Sequence, residues 1–180
     1  FSDIVQICLG EIKQAEASLI YLLGADGAGK TTLAKELANQ LLSESKKVAI
    51  IDADPGQSGR LPLTMSLNYA GKQFNDFSEL VLRDWDFIPS YNLLGCFERY
   101  IKLMERWTRM AREEMDYCFV DANGDIRRSL KLREIKFLKP NLVVALQRKS
   151  ELESILKDLG NQILKLPVPE EAKRRPSRLR

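Results

Sequence analysis

The sequence predicts a three-layer α/β/α domain built around a mostly parallel sheet. Three observations carry that expectation. Apolar runs of strand length at residues 19–23, 48–51, 117–120 and 142–146 alternate with stretches whose apolar residues recur every three or four positions. A glycine-rich turn, Gly24-Ala-Asp-Gly-Ala-Gly-Lys-Thr31, joins the first of these runs to a long helical pattern. With 180 residues, 44% of them apolar, the chain is long enough to cover a sheet on both faces.

The elements follow in order. Ile4, Val5, Ile7, Cys8, Leu9 and Ile12 fall at helical spacing and predict an amphipathic helix over residues 3–14. After the strand at 19–23 and the glycine turn, residues 32–42 continue as a helix, 43–47 as a polar turn and 48–51 as a second buried strand. Strand, loop, helix and strand in this order predict a βαβ unit whose strands form a parallel pair. Residues 53–90 hold Pro55, Gly56, Gly59, Pro62 and Gly71, so this is expected to be the least regular part, with one short strand near the sheet edge around 81–88. Residues 96–112 repeat apolar positions between charges, as a helix packed on a sheet does. A strand at 117–120, helices at 130–138 and 150–159, and strands at 142–146 and 162–166 complete the chain. Residues 1–172 are expected to form one domain.

The turn satisfies the pattern G-x-x-x-x-G-K-[ST], and the strand before it and helix after it are the context that gives this pattern meaning. Gly27 and Gly29 can take backbone angles closed to other residues, which lets successive N–H groups ring a phosphate. The following helix adds its positive end. Lys30 is placed to reach the β- and γ-phosphates, and the Thr31 hydroxyl to ligate Mg²⁺. Gly24, Ala25, Asp26, Gly27, Ala28, Gly29, Lys30, Thr31 and Thr32 are therefore the candidate nucleotide contacts.

Two strands run into acids. Residues 48–51 lead into Asp52-Ala-Asp54-Pro-Gly-Gln57, and residues 117–120 into Asp121. In an open parallel sheet the carboxyl ends of the strands face the ligand. Asp52 and Asp54 alternate along the backbone: either Asp54 takes a proton from an attacking hydroxyl while Asp52 holds Mg²⁺, or the two form a turn before Pro-Gly. Asp121 is placed as a ligand of the metal shell. Three acids around one phosphate cradle are expected to bind metal and nucleotide together.

Composition excludes several classes. With no histidine, histidine acid–base catalysis and histidine metal sites are ruled out, so a general base has to be a carboxylate. Cys8, Cys96 and Cys118 lack metal-ligand spacing and are expected to be free thiols in a reducing compartment. No run approaches membrane-span length and no signal-peptide pattern is present, so a cytoplasmic protein is expected, or a nuclear one in a eukaryote. Five positive charges fall in residues 173–180, so the net charge of +3 leaves the remainder at about −2. That segment is either a solvated tail or a contact for phosphate or nucleic acid.

The chain resembles the P-loop polynucleotide 5′-hydroxyl kinases, which include the RNA kinase of the mRNA 3′-end cleavage factor, its rRNA-processing relatives and archaeal counterparts. The resemblance rests on residues 24–32, on Asp52-Ala-Asp-Pro-Gly-Gln57, on Val120-Asp-Ala-Asn-Gly124 and on residues 139–153. It implies a P-loop NTPase-type kinase domain over residues 1–172 that transfers the γ-phosphate of ATP, with Mg²⁺, to the 5′-hydroxyl of RNA, or of DNA. It further implies Lys30 and Thr31 on triphosphate and metal, Asp54 as general base, and Gln57 beside the acceptor strand. Asn123 and Gly124 are then acceptor contacts, and Arg175 and Arg178 belong to the start of a basic lid over the transferring phosphate. Where the family has Thr-x-Gly-Trp, this chain has Ala122-Asn-Gly-Asp125, so the aromatic clamp for a base is absent there; Trp85 and Trp107 are the tryptophans left to supply stacking. Two alternatives stand beside the kinase: an ATP-binding regulator or assembly subunit with weakened transfer, and a P-loop NTPase acting on a small molecule.

Overall fold

Short leucine-, valine- and isoleucine-rich runs become the strands of one sheet. The computed structural model describes residues 1–57, 61–90, 93–160, 162–169 and 172. The strands are β1 (Leu19–Gly24), β2 (Val48–Ala53), β3 (Thr64–Ala70), β4 (Val81–Phe87), β5 (Tyr117–Ala122), β6 (Leu142–Gln147) and β7 (Gln162–Pro167). The helices are α1 (Ser2–Gln14), α2 (Lys30–Ser43), α3 (Phe97–Glu114), α4 (Arg128–Leu138) and α5 (Glu153–Leu156). The seven strands lie in the order β4-β3-β2-β5-β1-β6-β7. Strands β2, β5, β1, β6 and β7 run parallel, and β3 is antiparallel to both β2 and β4.

Alternation along each strand divides the core into two layers. On β1, Leu19, Tyr21 and Leu23 join the cluster that includes α3, α4 and α5. Ile20 and Leu22 face the other way, into the cluster with α1 and α2. The three layers expected from the sequence are present. On α3, Tyr100, Met104, Trp107 and Ala111 are buried at three- and four-residue spacing, and the Trp107 indole N–H donates to Asp84 at 2.8 Å. Trp107 is core, and Trp85 on β4 is 52% exposed.

Three details differ from expectation. The strands β1 and β2 are parallel but not neighbours, because β5 lies between them and hydrogen-bonds to both. The region expected to be irregular contains β3, where Met65, Leu67 and Tyr69 alternate with Thr64, Ser66 and Asn68. That period of two is a strand signal, masked in sequence by the prolines and glycines around it. The last helix is one turn, Glu153–Leu156, rather than residues 150–159. The Glu151 carboxylate accepts the backbone N–H groups of Arg148 and Lys149, and this turn uses the residues that would otherwise open the helix.

Burial pushes the Cys8 and Cys118 thiols up to about 12, so both are inert core groups, and Cys8, Cys96 and Cys118 are all free. Among the described residues no helix is long and apolar enough to cross a membrane. The two tryptophans differ in burial and should differ in cost. Trp107→Ala is expected to lower unfolding free energy by about 3–5 kcal/mol in urea denaturation, whereas Trp85→Ala should change it by less than about 1 kcal/mol.

Candidate nucleotide and phosphoryl-transfer site

The site begins where β1 runs out into residues 24–29. Gly27 and Gly29 have φ of 67° and 92°, angles that a side chain resists, and they fold the loop back over the start of α2. The α2 N-terminus has no capping side chain and no acid in its first turn. Its positive end therefore meets the cleft without an internal counter-charge, which is the arrangement that attracts phosphate.

The strand order then sets the acids. Asp52 and Asp121 are register partners on β2 and β5, and Asp121 is also opposite Leu22 of β1. Both carboxylates fall on the face of the sheet that carries α2. They are 4% exposed, under the helix whose first turn holds Thr31. The Thr31 hydroxyl donates to Asp121 Oδ2 at 2.6 Å, tying the start of α2 to the end of β5. Beyond the end of β2, Asp54 Oδ1 accepts the Gly56 N–H at 2.9 Å.

A cleft of about 440 Å³ lies over these groups, a size that suits a small ligand. Asp26, Gly27, Ala28, Gly29, Lys30, Thr31 and Thr32 line it from the loop and α2, and Asp52, Asp54, Gln57 and Asp121 from the strand ends. The residue Ala172 closes one side. A Cβ on Gly29 would meet its side chain at 3.6 Å, so the chain after β7 returns to the phosphate loop. The remaining expected positions are placed differently. Gly24 and Ala25 lie behind the loop, where their carbonyls accept from Lys30 Nζ at 2.9 and 3.2 Å. Arg175 and Arg178 lie outside the described residues.

The three acids share the cleft without closing on one point. Among the described residues, no group of three or more carboxylates and thiols could hold a metal alone. The expected metal set, Thr31, Asp52 and Asp121, holds only two acids, and Asp54 stands apart from it: Asp52 is in the sheet, while Asp54 lies two residues on, where the chain has left it. Thr31 and Asp121 bring two hard oxygens to one place, with Asp52 in the adjacent strand. That donor set fits magnesium, which takes few protein oxygens and completes its shell with phosphate and water.

Burial also shapes the charges. It lowers the Lys30 ammonium from its usual range, and Asp121, Asp54 and Asp26 oppose that shift. Burial raises the Asp54 carboxyl above the usual range, against the Gly56 N–H and the Lys30 charge.

Asn123 and Gly124 follow β5 and were expected to face the acceptor. Asn123 is instead 5% exposed. Its Nδ2 donates to the Tyr100 hydroxyl at 3.4 Å, and its Oδ1 accepts the Asp125 N–H at 3.1 Å. Gly124 packs against the phosphate loop, where a Cβ would come within 1.7 Å of Asp26 Oδ1. Asp26 also accepts from Gln57 Nε2 at 3.2 Å, so the loop is braced from both sides. Asp125 bonds to Arg127, which holds its carboxyl below the usual range and offsets the negative charge.

Beneath the site lies a network that helical periodicity did not reveal. Lys131 and Glu134 on α4 are each 1% exposed and pair at 3.0 Å. Lys131 Nζ also donates to the Tyr21 hydroxyl on β1 at 3.0 Å, and the Tyr100 hydroxyl on α3 donates to Glu134. Burial, with Glu134 nearby, raises both tyrosine hydroxyls well above their usual range. Through Tyr100 the chain of bonds reaches Asn123 at the rim. The i, i+3 spacing of Lys131 and Glu134 was visible in sequence, but such pairs are usually solvated.

The parallel sheet, the glycine loop between β1 and α2, and the Lys-Thr pair at the head of that helix define a P-loop nucleotide-binding fold. A structure of the signal recognition particle 54 kDa protein from Aeropyrum pernix K1 in complex with GDP shares this fold. It aligns with a TM-score of 0.52 at 15% identity, over 83% of this chain and 35% of that one. Within the fold, the family model described as the mRNA cleavage and polyadenylation factor CLP1 P-loop matches residues 24–180, and the chain belongs to that family. It is 38% identical over 160 residues to a polyribonucleotide 5′-hydroxyl-kinase of Pyrococcus furiosus, covering 87% of this chain and 45% of the relative. To one of Methanocaldococcus jannaschii it is 38% identical over 157 residues, covering 84% and 44%. The chain thus spans less than half the length of these relatives.

Two stability outcomes follow. Lys131→Met strands a buried carboxylate and is expected to cost about 3–5 kcal/mol in urea unfolding, and Lys131→Met with Glu134→Leu should recover most of that loss. For Asp54, a folded value above the ordinary one means the protonated carboxyl favours the fold; that gain is full below the ordinary value and lost as pH rises through the raised one. At neutral pH the ionised side chain is therefore a cost. Asp54→Asn should raise the thermal midpoint at pH 7, with the difference shrinking as the pH falls into the carboxylate range.

Proposed function

We propose that the chain carries the phosphoryl-transfer portion of an ATP-dependent polynucleotide 5′-hydroxyl kinase, acting on RNA ends in preference to DNA. The observation that carries this proposal is the pairing of an uncapped helix start, with Thr31 bonded to Asp121, and a desolvated carboxyl, Asp54, lining the same cleft. The names of the relatives from Pyrococcus furiosus and Methanocaldococcus jannaschii supply the acceptor class.

In this proposal the loop N–H groups and the head of α2 hold the triphosphate, and Lys30 turns from the Gly24 and Ala25 carbonyls to the transferring phosphate. Thr31 and Asp121 would hold Mg²⁺ with Asp52 beside them; once bound, the metal neutralises phosphate charge. Asp54 accepts the proton of the attacking 5′-hydroxyl. A bond forms from that oxygen to the γ-phosphorus as the bond to the β–γ bridging oxygen breaks. Desolvation makes Asp54 a stronger base than an exposed aspartate, which suits this role. Gln57, bonded to Asp26, stands beside the acceptor, and residues 1–172 act as one domain, with the arginines of 173–180 as the start of a basic lid over the transferring phosphate.

Incubation with γ-labelled ATP, Mg²⁺ and a 5′-hydroxyl oligoribonucleotide should label the oligonucleotide. Asp54→Asn is expected to lower transfer about 10²–10⁴-fold with ATP binding retained. Lys30→Ala should weaken ATP binding and lower turnover about 10²–10³-fold. Tight ATP binding with no label on RNA or DNA would overturn the proposal.

A further inference from the structure

The network of Tyr21, Lys131, Glu134 and Tyr100 lies where ionised groups are costly to bury, and no step of phosphoryl transfer uses it. Apolar side chains of similar size would join α3 to α4 as well or better. The hydrogen bonds run in one direction. Paired with Lys131, the Glu134 carboxylate accepts hydrogen bonds and has none to give, so Lys131 and the Tyr100 hydroxyl both donate to it. Tyr100 has one proton; with that proton on Glu134, its oxygen can only accept from the next group. Asn123 must therefore present its Nδ2 to Tyr100, at 3.4 Å, and turn its Oδ1 the other way, where it accepts the Asp125 N–H at 3.1 Å. Burial, with Glu134 nearby, holds the Tyr100 hydroxyl well above its usual range, so it keeps this proton at neutral pH.

Asn123 opens the segment that joins β5 to α4, and this segment is held at both ends. At its start Asn123 is fixed by Tyr100 of α3. Further on, Asp125 accepts the Arg127 N–H at 3.1 Å, and the Arg127 carbonyl accepts the Lys131 N–H at 3.1 Å in the first turn of α4. These bonds close a ring, from α4 through Glu134 to Tyr100, from Tyr100 to Asn123, and along residues 123–127 back to α4. Gly124 lies within the ring and is its point of contact with the phosphate loop. A Cβ there would come within 1.7 Å of Asp26 Oδ1 and 2.8 Å of the Asp26 backbone nitrogen, so the turn abuts the main chain of the loop as well as a side chain. Asp26 lines the cleft, and Gln57 bonds the same carboxylate. A displaced turn at residues 123–125 therefore displaces the loop.

We propose that Tyr100 is a positioning residue for the nucleotide: its hydroxyl fixes Asn123, and Asn123 sets the turn that seats Gly124 against the phosphate loop. The proposal rests on the ATP site put forward above and involves neither the acceptor nor the transfer step. Loop N–H groups hold a phosphate only when they point at it, and a misplacement of about 1 Å is enough to spoil such a cradle. A polar network suits this task because all its members are satisfied together in one arrangement, whereas apolar contacts tolerate small slides. Tyr21 belongs to the same network on a separate arm, where its hydroxyl accepts from Lys131 Nζ at 3.0 Å. Removing that hydroxyl loosens the core and leaves the link from Tyr100 to Asn123 intact.

Binding of Mg-ATP, measured by calorimetry, needs no acceptor. Tyr100→Phe removes one oxygen from a buried ring and is expected to raise Kd about fivefold. Asn123→Ala should do the same, and the double variant should bind no more weakly than either single one, because both cut the same link. Two further variants separate position from stability. Tyr21→Phe should lower the thermal midpoint and leave Kd within about twofold of the parent. Lys131→Met with Glu134→Leu, in which stability is largely recovered, should keep the raised Kd, because Tyr100 has lost the acceptor for its proton. Without nucleotide, hydrogen exchange at residues 24–29 should quicken in Tyr100→Phe and not in Tyr21→Phe. An unaltered Kd in Tyr100→Phe, or a Kd that follows the thermal midpoint across the set, would overturn the positioning role and leave the kinase standing. Mg-ATP binding that weakens in Tyr100→Phe, in a chain that labels neither RNA nor DNA, would retain the positioning role and remove the kinase.

Discussion

The hydrogen bond from Thr31 to Asp121 holds the organisation of the site together. It fixes the first turn of α2 over the end of β5, and so fixes where the helix delivers its positive end. Because β5 lies between β1 and β2, the same contact sets the distance from the phosphate loop to Asp52, the register partner of Asp121. Had β1 and β2 been neighbours, the loop and Asp52 would have been one strand apart, with no place for Asp121 between them.

The loop is braced from below and beside as well as from within. Gly124 fits against Asp26 so closely that no side chain could replace its hydrogen, and Gln57 reaches the same aspartate from the end of β2. Underneath, Lys131 and Glu134 join β1, α3 and α4 through two tyrosines, and the network ends on Asn123. A buried ion pair contributes little net stability when compared with apolar packing, but it restricts the arrangements in which its members are all satisfied. Here those members come from β1, α3, α4 and the loop after β5. The surface above stays polar, and burial raises the Asp54 carboxyl and lowers the Lys30 ammonium from their usual ranges.

Chemistry divides across the sheet according to strand position. The strands β2 and β5 carry acids toward their carboxyl ends, beside the phosphate loop. The antiparallel edge carries hydroxyls and then aromatic rings, a gradient from charge toward π-surface over two strands. The bulge in the β3–β4 ladder produces this separation by placing the charged side chains of β4 against α3.

The layered fold, most of the strand and helix positions, and the phosphate loop were legible in the sequence because each is encoded locally. Apolar periodicity marks elements within a few residues of itself, and the loop is a contiguous motif whose glycines and Lys-Thr pair fix their own backbone and chemistry. What only the tertiary structure decided is everything that depends on which strands become neighbours. The insertion of β5 between β1 and β2, the alignment of Asp52 with Asp121, the inward turn of Asn123, the burial of Lys131 with Glu134 and the shared face of Ser66 and Trp85 join residues far apart in the chain. A strand's own residues determine that it pairs, but its partner is selected by the packing of both faces at once, and no local pattern carries that information.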